Sequence, residues 1–168
     1  MKSFFVFDVE SIGLHGEAFA VGGGLYLENG AAQWEFCFSC DPRCAAGLES
    51  DRDWVIKNIP IIGITHRSPQ FIMEAFWEKW EIARSQGAVM AAECMWPVET
   101  NFLESCLNKN FDRAATAPYP CHDIASIMLA AGLDPLATYD RMPSELPKHN
   151  PLADARQSAR LLSEALSK

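Results

Sequence analysis

Residues 3–10 of the chain read Ser-Phe-Phe-Val-Phe-Asp-Val-Glu, a short apolar run that ends on two carboxylates. The run is rich in residues that favour strands, and its length predicts a buried central strand. Asp8 and Glu10 are two positions apart, so both side chains point to one face where that strand ends. An unpaired charge on a buried strand costs several kcal/mol. This pair therefore requires either an ion-pair partner within the protein or a bound cation.

The segments that follow predict a β-hairpin. Residues 17–27 and 31–40 are strand-like runs, and Asn29-Gly30 between them is a turn signal. Gly22-Gly23-Gly24 lies inside the first of these runs. No helix follows these glycines, so they do not form a phosphate loop, and they indicate a bulge or a close approach of another backbone.

Helices and strands alternate along the rest of the chain. Ser68 and Pro69 predict the start of a helix that continues to about Arg84, with Phe76, Trp77 and Trp80 in the core. The other predicted elements are a short helix at 51–58, a strand at 88–92, a helix from 97 to about 108, a strand at 119–121, a helix capped by Asp123 to about 131, a loop at 134–150 and a final helix that begins at Asn150 and Pro151. Together these elements predict an α/β fold with a mixed five-stranded sheet flanked by helices.

The final helix opens on a second chemical motif, His149-Asn-Pro-Leu-Ala-Asp154. An acidic residue in the first turn of a helix is favoured by the helix dipole without any chemistry, and a loop histidine is usually only solvated. The combination with Asp8 and Glu10 is more informative than either motif alone. Carboxylates at both ends of the chain plus an imidazole outline a metal-assisted phosphoryl-transfer site, which needs several hard oxygen ligands from separate elements.

Length and composition narrow the class of protein. The chain has 168 residues, 49% of them hydrophobic and 21% charged, which predicts one soluble globular domain over residues 1–168. Asp8 interrupts the apolar start too early for a signal peptide, and no apolar run reaches the roughly 20 residues of a membrane span. We therefore expect a cytoplasmic protein with no membrane contact.

The six cysteines lie mostly in apolar runs, which predicts free thiols that are buried or half-buried. The group formed by Cys37, Cys40 and Cys44 could be taken for half of a zinc site. Its second half is missing from the sequence, and positions 37 and 40 would face opposite sides of a strand.

The net charge of −8 disfavours a tight, long-range hold on duplex nucleic acid. Four carboxylates around two divalent ions would offset part of that charge once the metals are bound. A short substrate end held by metals suits this balance better than a long duplex.

Two segments resemble the DEDDh, or DnaQ-like, family of 3'-to-5' exonucleases. Residues 7–14, Phe-Asp-Val-Glu-Ser-Ile-Gly-Leu, are similar to the first motif of that family, and residues 149–155, His-Asn-Pro-Leu-Ala-Asp-Ala, are similar to the third. The resemblance extends from residue 4 to about residue 162, with the order and spacing of the motifs intact. It implies a ribonuclease H-like sheet, in which the first three strands are antiparallel and the later ones parallel.

The second motif departs from the family. Val98-Glu-Thr-Asn-Phe-Leu103 places Glu99 where the family has an aspartate, and Phe102 and Leu103 fit its downstream apolar pair. Glutamate keeps the charge but adds a methylene, so its oxygen must reach a metal in a different rotamer. Glu93, at the end of the preceding strand, is the competing candidate for this position.

The resemblance also implies the roles of particular residues. Two divalent metal ions, Mg or Mn, would be held by Asp8, Glu10, Glu99 and Asp154, with Asp8 shared between them, and His149 would act as the general base. The residues after the first motif would line the pocket for the terminal nucleotide: Ser11, Ile12, Gly13, Leu14 and His15. Asp123 would act as a helix cap and not as a ligand. Arg67, Arg141 and Lys148 could neutralise substrate phosphates or be ordinary surface charges.

The resulting hypothesis is an enzyme that removes nucleoside 5'-monophosphates from the 3' end of single-stranded DNA or RNA. Two alternatives remain open: a nucleic-acid-binding accessory subunit with weakened catalysis, and a phosphodiesterase for dinucleotides or other short oligonucleotides. Some members of the family are dimers, so a homodimer is an option, although no stretch of this sequence identifies a self-complementary surface. The choice between DNA and RNA depends on how the pocket meets the terminal 2'-hydroxyl, which the sequence does not show.

Overall fold

A five-stranded mixed sheet forms the centre of the protein, whose computed structural model describes residues 2–168. The strands lie in the order β3-β2-β1-β4-β5. The first three are antiparallel neighbours, and β4 and β5 continue the sheet in parallel with β1. Their bounds are Ser3–Ser11 for β1, Ala18–Leu27 for β2, Ala32–Ser39 for β3, Val89–Ala92 for β4 and Cys121–Asp123 for β5. The ribonuclease H-like sheet expected from the sequence is confirmed.

Five α-helices cover the two faces of this sheet. They are α1 (Glu49–Asn58), α2 (Pro69–Ser85), α3 (Thr100–Lys109), α4 (Ile124–Ala130) and α5 (Pro151–Leu166). None of the helices within residues 2–168 combines the length and the apolar character that a membrane crossing requires.

The alternation of side chains along β1 divides the core into two layers. Phe5 and Phe7 pack on one face against a cluster that includes Phe76 and Trp80 of α2. Phe4 and Val6 point to the other face, where residues of α4 and α5 cover them. Because successive residues of a strand alternate between faces, Asp8 and Glu10 continue the row of Phe4 and Val6 toward α5. The central strand therefore aims both carboxylates at the helix that carries Asp154.

Several predicted boundaries are confirmed. The hairpin turns at Asn29 and Gly30, and Gly30 has the positive φ of 80° that such turns favour. Helix α2 starts at Pro69, and Phe76, Trp77 and Trp80 are buried in the core as expected.

Two boundaries differ from the prediction because of prolines. The helix expected from residue 97 begins at Thr100, after an irregular turn at Met95–Glu99 in which Trp96 has extended backbone angles. A residue that precedes proline is pushed out of the helical region, which accounts for Trp96 before Pro97. The strand expected at 119–121 runs from Cys121 to Asp123, since Pro120 has no backbone N–H to give to a sheet.

All six cysteines are free thiols, as predicted. Cys40 and Cys106 are buried, whereas Cys37 and Cys121 are half-buried. Cys44 and Cys94 are exposed, so the expectation of burial was wrong for these two. Cys44 ends a single 3-10 turn at Pro42–Cys44 and Cys94 lies in the connection after β4, so both are outside the sheet and the α-helices.

Gly22 allows the start of α5 to lie directly against β2. A Cβ atom at this position would come within 2.2 Å of the backbone nitrogen of Leu152 and 2.5 Å of the carbonyl carbon of Pro151. The close backbone approach predicted for the three glycines is thus confirmed at Gly22. It fixes the distance between the sheet and the first turn of α5, where Asp154 lies.

We expect Gly22→Ala to destabilise the protein by about 3 kcal/mol or more, because the new methyl group meets backbone atoms that cannot rotate away. For a chain of this size the melting temperature should fall by roughly 6 to 12 °C. Gly63→Ala is the matched control, since a Cβ at Gly63 meets no atom within 4 Å. Equal melting temperatures for the two variants would contradict the close-packing role of Gly22.

Candidate active site

The site is built around the end of β1, where the strand leaves the core. Asp8 and Glu10 emerge on the α5 side of the sheet, and the side chain of Glu10 is only 13% exposed. The register of β1 with β2 shifts between Glu10 and Ser11, which ends the regular ladder directly after the two carboxylates. The irregularity frees the following residues to turn away from the sheet and form a loop.

Helix α5 supplies the third carboxylate from its first turn. Asn150 caps the helix, and its side-chain oxygen accepts hydrogen bonds from the N–H groups of Leu152 and Ala153, each at 3.2 Å. Pro151 occupies the first helical position, so the helix start predicted from the sequence is confirmed. Asp154 lies at the end of the first turn of the helix, and its side chain is 13% exposed. The cap and the proline thus fix Asp154 opposite the end of β1.

Both candidates for the second acidic motif lie near Asp8. Glu99 ends the irregular turn before α3 and is buried. Glu93 follows β4, and one of its oxygens accepts a hydrogen bond from the Ser158 hydroxyl at 3.1 Å. The charges of both residues act on Asp8, but only that of Glu99 also acts on Glu10. The charge of Glu93 also acts on Glu99, so the two candidates are close neighbours and both remain possible ligands.

The carboxylates form one electrostatic cluster, which we call the acidic cluster: Asp8, Glu10, Glu93, Glu99 and Asp154. Burial raises the pKa of Asp8 well above its usual range, and the charges of the four other members raise it further. Burial, followed by the charges of Asp154 and Glu99, raises the pKa of Glu10 to about 8. Burial also raises the pKa of Glu99 to about 7, although backbone N–H groups of Glu99 and Val9 partly offset this effect. So many carboxylates with little water around them favour either bound protons or bound cations.

His149 stands at the rim of the acidic cluster. Its backbone N–H donates to Asp154 Oδ2 at 2.9 Å, and its Nδ1 atom is 3.9 Å from Glu10 Oε1. The residue has a φ of 60°, in the left-handed region that side chains other than glycine rarely adopt. Strained backbone of this kind is concentrated at functional sites, where neighbouring contacts hold it in place. Here the bond to Asp154 holds it, while the imidazole stays 55% exposed toward solvent.

The donor set fits a divalent metal ion. One ligand atom each from Glu10, His149 and Asp154 lie within 4.8 Å of one another. This group supplies two carboxylates, the hard donors that Mg and Mn prefer, and the charges of Asp8 and Glu99 act on Glu10 or on its neighbours from close by. Glu10 and Asp154 of the predicted ligand set, together with His149, therefore fit a divalent ion, and the assignment of Asp8 and Glu99 as ligands remains a prediction.

A cavity of about 240 Å³ opens beside Glu10 and His149. Leu14 and Trp54 form part of its wall, and both side chains are largely exposed. Trp54 belongs to α1, and no local sequence pattern connects it with the site. The sequence predicts the short helix at 51–58, but only the folded chain shows that its tryptophan approaches His149, with ring centroids 6.4 Å apart.

The residues expected to line a nucleotide pocket occupy different surroundings. Ser11, Gly13 and Leu14 line the cavity next to Glu10, and Ser11 and His15 line a neighbouring cavity of about 370 Å³ beside α3. Gly13 has a φ of 67° and lies so close to Asp51 that a Cβ would be 2.1 Å from its carboxylate. Ile12 is buried in the core, where its side chain anchors the loop. Their role in substrate binding is still a prediction.

The three basic residues considered for phosphate binding also differ from one another. Arg141 forms an ion pair with Asp154 inside the site. The guanidinium of Arg67 stacks on Phe71, 3.9 Å from the ring centroid. Lys148 is exposed, next to His149 in the sequence. Asp123 caps α4 by accepting the N–H of Ser126 at 2.7 Å, which confirms its expected structural role.

The raised pKa values predict an unusual pH dependence for the metal-free protein. In the folded protein the pKa of Glu10 is about 8, whereas an ordinary glutamate has a pKa of 4.5, so folding makes Glu10 bind its proton more tightly. Protonated Glu10 therefore contributes its whole stabilising free energy below about pH 4.5, and this contribution is lost as the pH rises through 8. Asp8 and Glu99 act in the same direction. Carboxylates whose pKa is lowered in the folded protein, such as Glu145, change the stability only at acidic pH, below the ordinary pKa of a glutamate.

We therefore expect the melting temperature in a metal chelator to fall by about 5 °C or more between pH 5.5 and pH 8.5. Millimolar Mg or Mn should restore most of the loss at the higher pH, because cations then replace the missing protons. Differential scanning calorimetry with and without metal measures both effects. A melting temperature that is flat or rises over this interval in chelator would contradict the electrostatics of the acidic cluster.

Comparison with known proteins agrees with the fold. The chain is similar in structure to a moderately thermophilic Exonuclease I from Methylocaldum szegediense, with a TM-score of 0.63 and 18% sequence identity. The match covers 98% of this chain and 41% of the exonuclease chain. No protein-family model matches the sequence, and no curated protein matches it either. The protein thus has the ribonuclease H-like fold, shared with part of an exonuclease, and at this level of identity the likeness shows the fold alone.

Proposed function

We propose that the protein is a metal-dependent 3'-to-5' exonuclease that releases nucleoside 5'-monophosphates from single-stranded ends. The observation that carries the proposal is the acidic cluster, in which carboxylates from β1, the segments after β4 and α5 meet beside an exposed histidine. An ordinary structural site would pair so many carboxylates with arginine or lysine. Within residues 2–168, one arginine is in ion-pair contact with the cluster.

The residues divide into those that bind metal and those that move a proton. We assign Asp8 as a ligand that both ions would share, because it ends the buried run of β1 within the acidic cluster. Glu10, Glu99 and Asp154 complete the ligand set. Two divalent ions, when bound there, supply charge that lowers the pKa of water and offsets the charge of the leaving oxygen.

We assign His149 as the group that accepts the proton of the attacking water. Its imidazole is exposed at the rim of the cluster, and histidine is the side chain that most often acts as a general base. The hydrogen bond from its backbone to Asp154 keeps the loop in place, while the side chain remains free to rotate. We assign His149 to proton transfer and not to metal binding, although one of its ring nitrogens lies within 4.8 Å of the ligand atoms of Glu10 and Asp154.

The cavity next to Glu10 and His149 supports recognition of a single terminal nucleoside. Its volume of about 240 Å³ suits one base and sugar better than a duplex end. Trp54 offers an aromatic face for stacking, which is tolerant of sequence because every base has a π-face. The net charge of −8 is also consistent with a substrate held mainly at its end.

Product analysis tests the proposal. Oligonucleotides of DNA and RNA, labelled at the 5' end, are incubated with the protein in Mg, in Mn and in chelator. We expect a ladder that shortens from the 3' end and releases nucleoside 5'-monophosphates only when metal is present. Binding without hydrolysis would instead favour an accessory subunit, and cleavage confined to dinucleotides would favour a short-substrate phosphodiesterase.

A pair of variants distinguishes the two candidates for the second acidic motif. We expect Glu99→Gln to lower turnover by about 100-fold or more, because a metal ligand loses its charge. Glu93→Gln, with the same chemical change in the same cluster, should lower it by less than about tenfold, since its hydrogen bond to Ser158 marks a supporting role. Turnover at saturating metal measures both. A larger loss in Glu93→Gln would reverse the assignment.

A further inference from the structure

Arg141 occupies a position next to Asp154 that the mechanism above does not use. The arginine lies in the loop before α5, and its side chain is only 16% exposed. Its Nη1 donates to Asp154 Oδ1 and to the carbonyl oxygen of Glu145, the latter at 2.9 Å. The other oxygen of Asp154 accepts the N–H of His149 at 2.9 Å. Both oxygens of a candidate metal ligand are therefore engaged by donors from the protein.

No second arginine or lysine contacts the acidic cluster within the part of the chain that the structure describes. Two arginines of α5 are close in sequence but are paired elsewhere. Arg156 donates to both oxygens of Glu35, at 2.7 and 2.9 Å, and Arg160 donates to Glu145 at 2.7 Å. Arg141 is thus the one guanidinium whose charge is directed into the site, and the fold holds it there through the Glu145 carbonyl.

A divalent cation bound by Asp154 would share one carboxylate with this guanidinium. The two positive charges would then lie a few ångströms apart in a poorly hydrated site, where screening by water is weak. Because Arg141 contacts Oδ1 of Asp154 and the His149 N–H contacts Oδ2, a metal bound by Asp154 would have to share an oxygen with one of these donors or displace it. The arginine and the metal would therefore repel each other and would compete for the oxygens of Asp154.

We propose that Arg141 competes with a divalent ion for Asp154, stabilising the metal-free site and weakening metal binding. This inference rests on the proposed function, because it needs the acidic cluster to be a metal site. It assigns to Arg141 a role different from phosphate binding. The arginine acts as an internal cation that metal must displace, so that the site fills only when metal is abundant.

Titration of the protein with Mn, followed by electron paramagnetic resonance of the free ion, tests the competition without any substrate. We expect Arg141→Met to tighten Mn binding by about fivefold or more, a typical coupling between two linked sites. In chelator the same variant should melt below the wild type, because Asp154 loses its partner. Arg141→Lys keeps the positive charge and should bind Mn within about threefold of the wild type.

Arg43→Met is the matched control for the chemical change. Arg43 pairs with Asp41 at 3.0 Å in an ion pair on the surface, away from the acidic cluster. This variant should bind Mn as the wild type does. Unchanged or weaker Mn binding by Arg141→Met would overturn the proposal, and so would equal tightening in Arg141→Met and Arg141→Lys.

A measurement on the wild type keeps the test independent of how the variants fold. The Nε–Hε resonance of Arg141 in ¹⁵N-labelled protein should shift as diamagnetic Mg is added, because the guanidinium loses its partner. A resonance that stays in place while Mg binds would overturn the competition. If the wild type bound neither Mg nor Mn, the metal site itself and thus the proposed function would be wrong. Equal Mn binding by wild type and Arg141→Met would remove only the role of Arg141.

Discussion

Asp8→Asn is expected to lower metal-dependent hydrolysis by about a thousandfold or more, equivalent to about 4 kcal/mol of transition-state stabilisation. Asp8 is the ligand that we propose both metals would share, and the charges of all other members of the acidic cluster act on it. Asparagine has nearly the same shape but carries no charge. The loss would therefore come from the metals and not from a change in packing.

The same substitution should make the metal-free protein more stable. Asp8 lies at the end of a buried strand among four other carboxylates, and burial raises its pKa well above the usual range. A neutral side chain removes that repulsion, so the melting temperature in chelator at about pH 8 should rise by a few degrees. Opposite changes in activity and stability mark a residue that is retained for its chemistry.

The control for Asp8→Asn is Asp53→Asn, the same change at an exposed position of α1. It should leave both turnover and melting temperature nearly unchanged. Metal-dependent hydrolysis at the wild-type rate in Asp8→Asn would remove Asp8 from the metal site, and a lower melting temperature at alkaline pH would contradict the electrostatic argument.

His149→Ala is expected to lower turnover by at least about 100-fold, the usual contribution of a general base. Metal binding should be largely intact, because Asp154 is held by the backbone N–H of residue 149 and not by the imidazole. Steady-state kinetics and a Mn titration of the same sample separate the two properties. Added imidazole should restore part of the turnover, since a small base can enter an exposed position.

The variant His149→Gly provides a second test of the role of the imidazole. His149 has a left-handed backbone, which glycine adopts without strain, so His149→Gly should fold at least as well as the alanine variant. Both variants should show the same loss of turnover if the imidazole is responsible. Full activity in either would exclude the role of general base.

Much of the fold could be predicted from local sequence patterns. The apolar run before Asp8 predicts the central strand, and Asn29-Gly30 predicts the hairpin that pairs with it. Asn150 and Pro151 predict the start of α5, and the structure confirms both the cap and the helix. These features are set by residues close together in the chain, where capping and turn chemistry act directly.

The parts that the sequence did not predict depend on contacts between distant residues. Trp54 reaches the cavity because α1 packs beside the loop after β1, a placement that no local pattern contains. Arg141 was considered for phosphate binding, but its ion pair with Asp154 follows from the path of a loop that has little regular structure. Such positions are fixed by packing and charge after the elements have formed.

Glu99, which stands where the exonuclease family that the sequence resembles has an aspartate, lies in an irregular turn. The segment Met95–Glu99 replaces the first turn of the expected helix and leaves the Glu99 side chain buried toward Asp8. A glutamate is one methylene longer than an aspartate, so its backbone must start farther from a shared ion. Wide or irregular helical turns recur at functional sites, and this one changes where the helix, and with it Glu99, begins.

The expected location, oligomeric state, domain organisation and substrate preference of the protein stay predictions. These are its cytoplasmic location, a homodimer, the restriction to one domain and the preference for single strands. Matched DNA and RNA substrates address the last of these directly, because the cavity next to Glu10 must accept or reject a terminal 2'-hydroxyl.

Anomalous diffraction from crystals soaked in Mn, with and without a nucleoside 5'-monophosphate, tests the central claim most directly. We predict two Mn peaks roughly 3.5 to 4 Å apart, with Asp8 between them and oxygens of Glu10, Glu99 and Asp154 within bonding distance. Peaks only outside the acidic cluster, or no peak at Mn concentrations that support hydrolysis, would contradict it.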